Sequence, residues 1–523
     1  MKRRIFAVVL VLMLVTVAVC ATLTDYKGLQ VLDSDPTGAA GLAINNNFKY
    51  IADRLNSAQG VVVVAASDSV RPKRADYICD GTDDETQINL AIEAVKTKLG
   101  VVLLLAGRYD IETATILLRE GVILQGEGSS ATVIQAPDGH SLSSGTGLIT
   151  LDTDSIWTGG GIKELRLLGD GGIDTEGIGE EDPTNRADLT ATVDGLDETA
   201  VTTLGKFQIT DCTITKCRRG VNGEGVNERF IPVRGNEFHY NTIGWYVGTH
   251  PNFGINDFRY NDVGVDGTSY DCQFVGTKFI YNRIGATRID TFGISNSVFQ
   301  GCLFGNNEDD GLRLNGNNQV SGCLFLSTSG EYTRALTLYG EKNVISGTSW
   351  VCQSVEECGW EEGCVHILHT TTYRGRQTTF AGCTFTNRYT TGTPHIFMWA
   401  NTQRRWEHGA ITGCTFGLYG PIVHTTNEQN RLEGLSFNGN AIQLLGNLGT
   451  DCIFYLHSTG AGLGITGNVI NANGMTHGGV IEGNFTDSLM AANTFIGFSP
   501  VLHDGLTTDG ETVIKSNVGL ADP

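Results

Sequence analysis

Proline is scarce in this chain of 523 residues, with only 10, and runs of helix-favouring Ala, Glu, Lys and Leu are few. That excludes a mainly helical protein. Basic side chains are also under-represented: 36 Lys and Arg stand against 57 Asp and Glu, leaving a net charge of −21. A nucleic-acid binder usually carries a basic stripe, and none occurs here. An acidic chain of this kind suits an extracellular protein. It exerts no long-range pull on a polyanion, so an acidic glycan would need local Arg or bound cations. Long apolar runs are missing as well. A membrane span needs ~20 apolar residues, and beyond the first residues no segment could cross a bilayer. What the chain does hold is glycine, 68 residues, with 40% hydrophobic residues overall. This balance predicts many short strands joined by tight turns around a large core.

The N-terminus reads as an export signal. Lys2-Arg3-Arg4 forms a positive start, Ile5 to Val19 is apolar, and Val19-Cys20-Ala21 offers a small-residue cleavage site. Residues 1–21 are therefore expected to be a signal peptide cleaved after Ala21, and the mature protein to be secreted or held at the cell surface. Cys20 invites a lipoprotein reading, but Val19 stands where such signals prefer a small residue. Residues 22–74 form an N-terminal segment in which Asn45 to Leu55 can make a short helix, with Phe48, Ile51 and Leu55 on one face. Within it, the stretch from Gly28 to Gly38 resembles the heads of some phage-associated β-helix proteins.

The stretch from residue 75 carries the strongest pattern. Asp80-Gly81-Thr82-Asp83-Asp84-Glu85 leads into a helix with Ile88, Ala91, Ile92 and Val95 on one stripe. Thr82 and Glu85 have capping-box spacing, and Gly100 can take a left-handed position at the helix end. Short strands follow at Val101 to Leu105, Thr115 to Leu118, Val122 to Gln125 and Thr132 to Ile134. One helix feeding a file of strands is what seals the open end of a solenoid. Asp80-Gly81-Thr82-Asp83-Asp84, the helix, Leu105-Ala106-Gly107-Arg108-Tyr109 and Leu124-Gln125-Gly126-Glu127-Gly128 together resemble the pectate-lyase-like superfamily, which also includes phage tailspike and glycoside hydrolase domains. The resemblance implies an all-β fold, a single-stranded right-handed parallel β-helix with an N-terminal capping helix, occupying 75–523.

Repeats support the same architecture. Phe238-His239-Tyr240-Asn241-Thr242-Ile243-Gly244 recurs from Phe258 and again from Phe279, at spacings of 20 and 21 residues, the length of one β-helix coil. Ile214 to Gly220 is an earlier copy with Cys217 in the Asn place, and Phe304 to Gly311 a later one with extra turn residues. Seven of the 13 cysteines (Cys212, Cys272, Cys302, Cys323, Cys383, Cys414 and Cys452) share a local pattern with an apolar residue two positions on. They are expected to be small core residues stacked coil upon coil. Cys352, Cys358 and Cys364 are crowded together, which makes them the best candidates for a disulfide.

Equal coils would stack equivalent residues ~4.8 Å apart. One column follows the repeated Asn: Arg218, Thr242, Asp262, Arg283, then Glu308 to Asp310. A second lies two past the Gly: Tyr246, Asp266, Thr287, Arg313. Carboxylates and guanidiniums on one face could meet a glycan chain, although stacked opposite charges on any solenoid surface also simply neutralise each other. Asn306 to Leu314 resembles the polygalacturonase turn, which implies Asp310 as proton donor with Asp309 or Asp262 holding water; that family's Gly-His-Gly and Arg-Ile-Lys motifs are missing. Resemblance to pectate lyases implies instead Ca²⁺ at Asp262 and Asp266, with Arg283 or Arg313 as base. The segment Cys352 to Gln377 interrupts the rhythm and brings Trp360, His366, His369, Tyr373 and Arg374. Tyr373 near the two histidines could abstract a proton, and Trp360, Trp399 and Trp406 could stack on sugars. The catalytic candidates are thus Asp262, Arg283, Asp309, Asp310 and Arg313, and the substrate-binding candidates Tyr246, Asp266, Trp360, Tyr373 and Arg374. The expected partner is a polysaccharide, cut by a lyase or hydrolase. The other readings are a non-catalytic adhesin or tailspike-like receptor-binding fibre, forming a homotrimer, and a purely structural surface protein.

Overall fold

The computed structural model describes residues 60–517 apart from 97–99, 145, 153–158, 171–192, 198–206, 224–231, 248–250, 268–270, 289–292, 329, 333, 353–357, 361–363, 369–374, 387–395, 400–404, 419, 426–430, 446–451, 473–478, 498–506, 509–512 and 516. The stretches expected to be a signal peptide (1–21) and a short helix (Asn45 to Leu55) lie outside the described residues.

Three-residue strands dominate, and their sequences explain why. In Phe253, Phe258, Phe274 and Phe279 the middle residue of a strand is apolar and buried, while both neighbours face out. Such a strand can bury one side chain only, so stability has to come from stacking the next coil on it. Each coil contributes one strand to each of three parallel sheets. One coil runs Asn252–Gly254, Asp257–Arg259, Val263–Gly267, and the next Gln273–Val275, Lys278–Ile280, Ile284–Thr287. Their registers pair Phe253 with Phe274, Phe258 with Phe279 and Val265 with Ala286. The result is a right-handed parallel β-helix. Its first strand, Val61–Ala65, pairs with Val101–Leu104, so the solenoid begins inside the segment that the sequence pattern had set apart from it.

Stacking makes ladders in the core. The rings of Phe238, Phe258, Phe279, Phe304, Phe325 and Trp350 lie parallel, with successive centroids 4.6, 5.2, 5.0, 4.8 and 5.3 Å apart. Each buried ring contributes about 2–3 kcal/mol through removal of apolar surface from water. Gly264 faces this interior at a position where a Cβ would stand 2.4 Å from the Gly285 carbonyl oxygen, which explains the repeated Gly of the motif.

The repeated Asn forms a ladder of its own at the corner between the second and third sheets. Asn241 Nδ2 donates to Asn261 Oδ1 (3.0 Å), Asn261 to Asn282 (3.0 Å) and Asn282 to Asn307 (3.1 Å). Asn261 Nδ2 also donates to the Phe238 carbonyl at 2.9 Å, and its Oδ1 accepts the Asn241 backbone N–H at 3.0 Å. Both polar atoms of the buried Asn261 side chain are thereby satisfied, as burial requires. Cys217 heads the ladder as expected, its N–H donating to Asn241 Oδ1 at 3.0 Å.

The cysteine pattern resolves into more than one column. Cys212, Cys302, Cys323, Cys383 and Cys414 are buried free thiols, each just before a second-sheet strand. Cys272 instead precedes the first-sheet strand Gln273–Val275, and Cys452 opens the third-sheet strand Cys452–Ala461. The shared local sequence reflects a turn that recurs at different corners. Burial pushes the Cys212 thiol up to about 12, which makes it inert at neutral pH. Cys364 is fully buried, and the side chains of Cys352 and Cys358 lie outside the described residues.

The capping helix spans Glu85–Val95 and buries Ile88, Ala91, Ile92 and Val95, the stripe read from sequence. Its entry differs from the capping box. Thr82 donates to Asp80 Oδ1 (3.0 Å), and Asp84 stands at the N-cap. Buried Asp84 accepts the N–H of Gly81 and of Asp110, each at 2.9 Å, while Glu85 Oε1 accepts those of Thr113 (3.2 Å) and Ala114 (3.0 Å). The acidic pair thus ties the helix start to the first coils. Gly100 is not left-handed; a Cβ there would lie 2.0 Å from the Gly60 carbonyl oxygen.

Candidate functional site

The outer face of the third sheet brings the predicted columns together. Val265, Ala286, Leu312 and Leu336 point into the core, so the residue after each points outward. The ladder registers place Asn222, Tyr246, Asp266 and Thr287 in one row. Arg313, Thr337 and His366 extend that row, by the pairings of Ala286 with Leu312, Arg313 with Thr337 and Thr337 with His366. The sequence spacing therefore located Tyr246, Asp266, Thr287 and Arg313 correctly as neighbours. A parallel row three residues earlier runs Arg219, Ile243, Val263, Ile284, Asp310, Arg334.

Asp310 is the centre of a cluster at the meeting of these rows. Its side chain is 0% exposed, against 20% for Arg313 and 17% for Arg334. Arg313 Nε donates to Oδ2 at 2.6 Å and Arg334 Nη2 to the same oxygen at 3.2 Å. The Thr337 hydroxyl donates to Oδ1, and Arg334 Nε stands 3.1 Å from that oxygen. One buried carboxylate thus fixes two guanidiniums and a hydroxyl. His366, fully buried, is the next residue of the row beyond Thr337. Thr287, between Asp266 and Arg313, is also fully buried, and its hydroxyl has no hydrogen-bond partner.

Asp262, Arg283 and Asp309 form a separate arrangement at the corner before the sheet. Arg283 Nε donates to Asp262 Oδ1 at 2.5 Å and Nη2 to Oδ2 at 3.2 Å, while Nη1 donates to Asp309 Oδ2 at 2.7 Å. Asp310 does not join them, because the extra residue after Asn307 brings Asp310 opposite Ile284 rather than Arg283. The carboxylate of Asp262 first, and that of Asp309 after it, push the Arg283 guanidinium above its ordinary range.

A second buried carboxylate lies five coils away and was not singled out in the sequence. Asp194, fully buried, accepts from Arg218 Nε (3.1 Å) and Nη2 (2.8 Å) and from Asn222 Nδ2 (3.1 Å). Arg219 donates to Asn222 Oδ1 at 2.8 Å, and its guanidinium carbon sits 3.8 Å from the centre of the Tyr246 ring. Asp194 is hard to see in the sequence because residues 169–197 are acidic and Gly-rich and carry no copy of the coil motif, whereas Asp194–Asp197 is a strand of the third sheet.

The aromatic candidates fare differently. Trp406 is fully buried among core residues, its indole packed near Phe380, and so is not a sugar platform. The side chains of Trp360 and Trp399, and residues Tyr373, Arg374 and His369, lie outside the described residues. Among the described residues no three His, Cys, Asp or Glu side chains stand together where they could hold a metal ion, and no helix is long and apolar enough to cross a membrane.

Coil, ladder and capping helix make the chain a right-handed parallel β-helix closed by an N-terminal helix. No family model matches the sequence, and no curated protein does. Among solved structures it is similar to the A-module of mannuronan C-5 epimerase AlgE4 from Azotobacter vinelandii, with 16% identity over 82% of this chain and 96% of that one, at a TM-score of 0.43. A DFA-IIIase from Arthrobacter chlorophenolicus A6 shows 10% identity over 72% and 94%, with a TM-score of 0.39. The Dettilon tailspike protein shows 12% over 93% and 72%, with a TM-score of 0.37. These likenesses are of fold and say nothing of this chain's reaction.

Proposed function

We propose that the protein is a secreted polysaccharide lyase that acts on a uronate-containing glycan lying along the outer face of the third sheet. The observation that carries this reading is the buried Asp310 clamp. A carboxylate wholly out of water, with its oxygens taken by two guanidiniums and a hydroxyl, serves to hold those groups in place. Arg313 and Arg334 are then pre-oriented cations that can receive a uronate carboxylate by charge-assisted hydrogen bonds. Neutralising that carboxylate acidifies the carbon-bound proton next to it, the step an elimination needs. Ca²⁺ is the alternative neutralising group, in which case the carboxylates of this face would bind it.

A hydrolase is the weaker reading of the same face. It needs one carboxyl free to protonate a leaving oxygen, and Asp310 has two cations and a hydroxyl on it.

The test is incubation of the purified protein with a panel of uronate and neutral polysaccharides, with and without chelator. An unsaturated product absorbing in the ultraviolet is expected from a uronate polymer, and reducing ends alone would indicate a hydrolase. Loss of activity with chelator would assign neutralisation to Ca²⁺. Binding with neither product would make the protein an adhesin and overturn the reading.

A further inference from the structure

The Asp194 cluster repeats the plan of the Asp310 clamp. In each, a carboxylate that is 0% exposed has two arginines and one neutral polar side chain around it. Arg218, Arg219 and Asn222 surround Asp194, as Arg313, Arg334 and Thr337 surround Asp310. One anion against two cations leaves each cluster locally positive on a strongly acidic chain. Arg219 is fixed from two directions. The Asn222 amide, itself tied to Asp194, accepts from Nη1, and the Tyr246 ring lies under the guanidinium as a cation–π partner. Arg218 bonds Asp194 through Nε and Nη2 while a third of its side chain stays exposed. The two clusters also share a row. Arg219 is joined to Asp310 through Ile243, Val263 and Ile284, four coils on, a separation of about 19 Å. Over that span Val263, Ile284 and Thr287 are buried and uncharged, and Asp266 is only 6% exposed. The cationic contacts therefore stand at the two ends.

We propose that Arg218 and Arg219 form a second carboxylate-binding subsite, which takes a uronate group of the same glycan chain whose reacting unit lies at Arg313 and Arg334. The proposal deepens the lyase reading and rests on it. An acidic protein has no long-range attraction for a polyanion, so binding has to come from local cations. Guanidiniums already held in place form charge-assisted hydrogen bonds to a carboxylate with little further ordering. The distance between the clusters then makes the protein selective for chain length. The end carboxylates of a trimer stand two rings apart, so a trimer engages one cluster at a time. A longer chain engages both. Contact at the remote cluster is made equally before and during the reaction, which places its effect on KM and not on kcat.

Rates of unsaturated-product formation on oligogalacturonate and oligoglucuronate, each as a trimer and as a chain long enough to span both clusters, test it. For the uronate that is turned over, the wild type is expected to show a lower KM for the long chain than for the trimer. Arg219→Gln is expected to raise the long-chain KM about tenfold, the equivalent of one charge-assisted hydrogen bond, and so to abolish the preference for length. Arg219→Lys should restore part of it. Tyr246→Leu, which keeps both cations and removes the ring beneath one, should raise the long-chain KM about threefold, and it carries the test if Arg219→Gln does not fold. Equal changes for trimer and long chain, or none for either, overturn the subsite and leave the lyase reading standing. If no uronate gives product, calorimetry with the same oligomers separates the two readings. Long-chain binding weakened about tenfold by Arg219→Gln keeps the subsite while the lyase reading falls, and a variant that binds like the wild type overturns both.

Discussion

Asp309 and Asp310 are adjacent in sequence, each paired with arginine, and yet they belong to two different kinds of structure. At the corner, Asp262, Arg283 and Asp309 keep 32%, 36% and 36% of their side chains exposed. One residue on, Asp310 is wholly buried and carries Arg313 and Arg334 with it. Water screens the first arrangement, so its net worth is small however good its geometry. In the second, removing one partner leaves uncompensated charge in a low-dielectric site. What separates them is the direction in which each side chain leaves the chain, set by a single extra turn residue.

The strongest test of that difference is Asp310→Ala. It leaves two partly buried guanidiniums facing each other with no anion, and an expected loss of about 3–5 kcal/mol in stability, read by urea unfolding. Activity on a uronate polymer should vanish with it. Arg313→Lys, which keeps the charge but loses the planar fork, separates the two effects: stability falls little while turnover drops. Equal losses in both measurements would mean that the cluster is structural only.

Next in size is the asparagine ladder, the neutral counterpart of the clamp. Asn261→Ala strands the backbone N–H of Asn241 and the carbonyl of Phe238, both buried. Two orphaned groups at 1–3 kcal/mol each predict a loss of about 3 kcal/mol in the same unfolding assay. Cys217, which occupies the equivalent place two coils earlier, donates through sulfur to the Thr215 carbonyl at 3.3 Å. Cys217→Asn is therefore expected to be tolerated far better than Asn261→Ala.

A smaller effect should appear with pH. Burial first, then the neighbouring Arg166 and Arg259, depress His239 to about 4. In the unfolded chain an imidazole titrates near 6.5. Between these values the unfolded state holds more protons, so stability falls as pH drops from about 6.5 to about 4. The loss attributable to this residue is on the order of 2 kcal/mol, and His239→Gln should flatten that part of the profile. A slope identical in the variant would place the sensitivity elsewhere.

The fold was legible because its signals are local and repeated. A Phe in each coil, then a left-handed turn residue and an Asn, at spacings of 20 and 21, fixes coil length and register without any long-range information. From that register the row Tyr246, Asp266, Thr287, Arg313 followed directly. Four things could not be read. The placement of Asp310 depends on how an inserted residue is absorbed, and a motif shared with other turns does not encode that. Cys272 looks like Cys302 in sequence because the same turn chemistry serves two corners. Trp406 looked like a surface aromatic beside Arg405, and only the alternation within Arg405–Glu407 turns it inward. Asp194 escaped for the opposite reason: irregular, acidic surroundings masked a single strand.

The smallest expected effect is the sharpest check on the comparison that began with Asp309 and Asp310. Arg283 makes two bonds to Asp262 and one to Asp309, better geometry on paper than either arginine of the buried cluster. If geometry set the energy, Arg283→Ala would be as damaging as loss of Asp310. Exposure argues otherwise. The two carboxylates released by Arg283→Ala are hydrated at once, and their mutual repulsion is screened within about 8 Å at physiological salt. The expected loss is below about 1 kcal/mol, shrinking further as salt is raised, with turnover on a uronate polymer unchanged. A loss comparable to that of Asp310→Ala would mean that the corner is effectively shielded from water. The glycan-facing cluster would then have to be redrawn to include Asp262, Arg283 and Asp309.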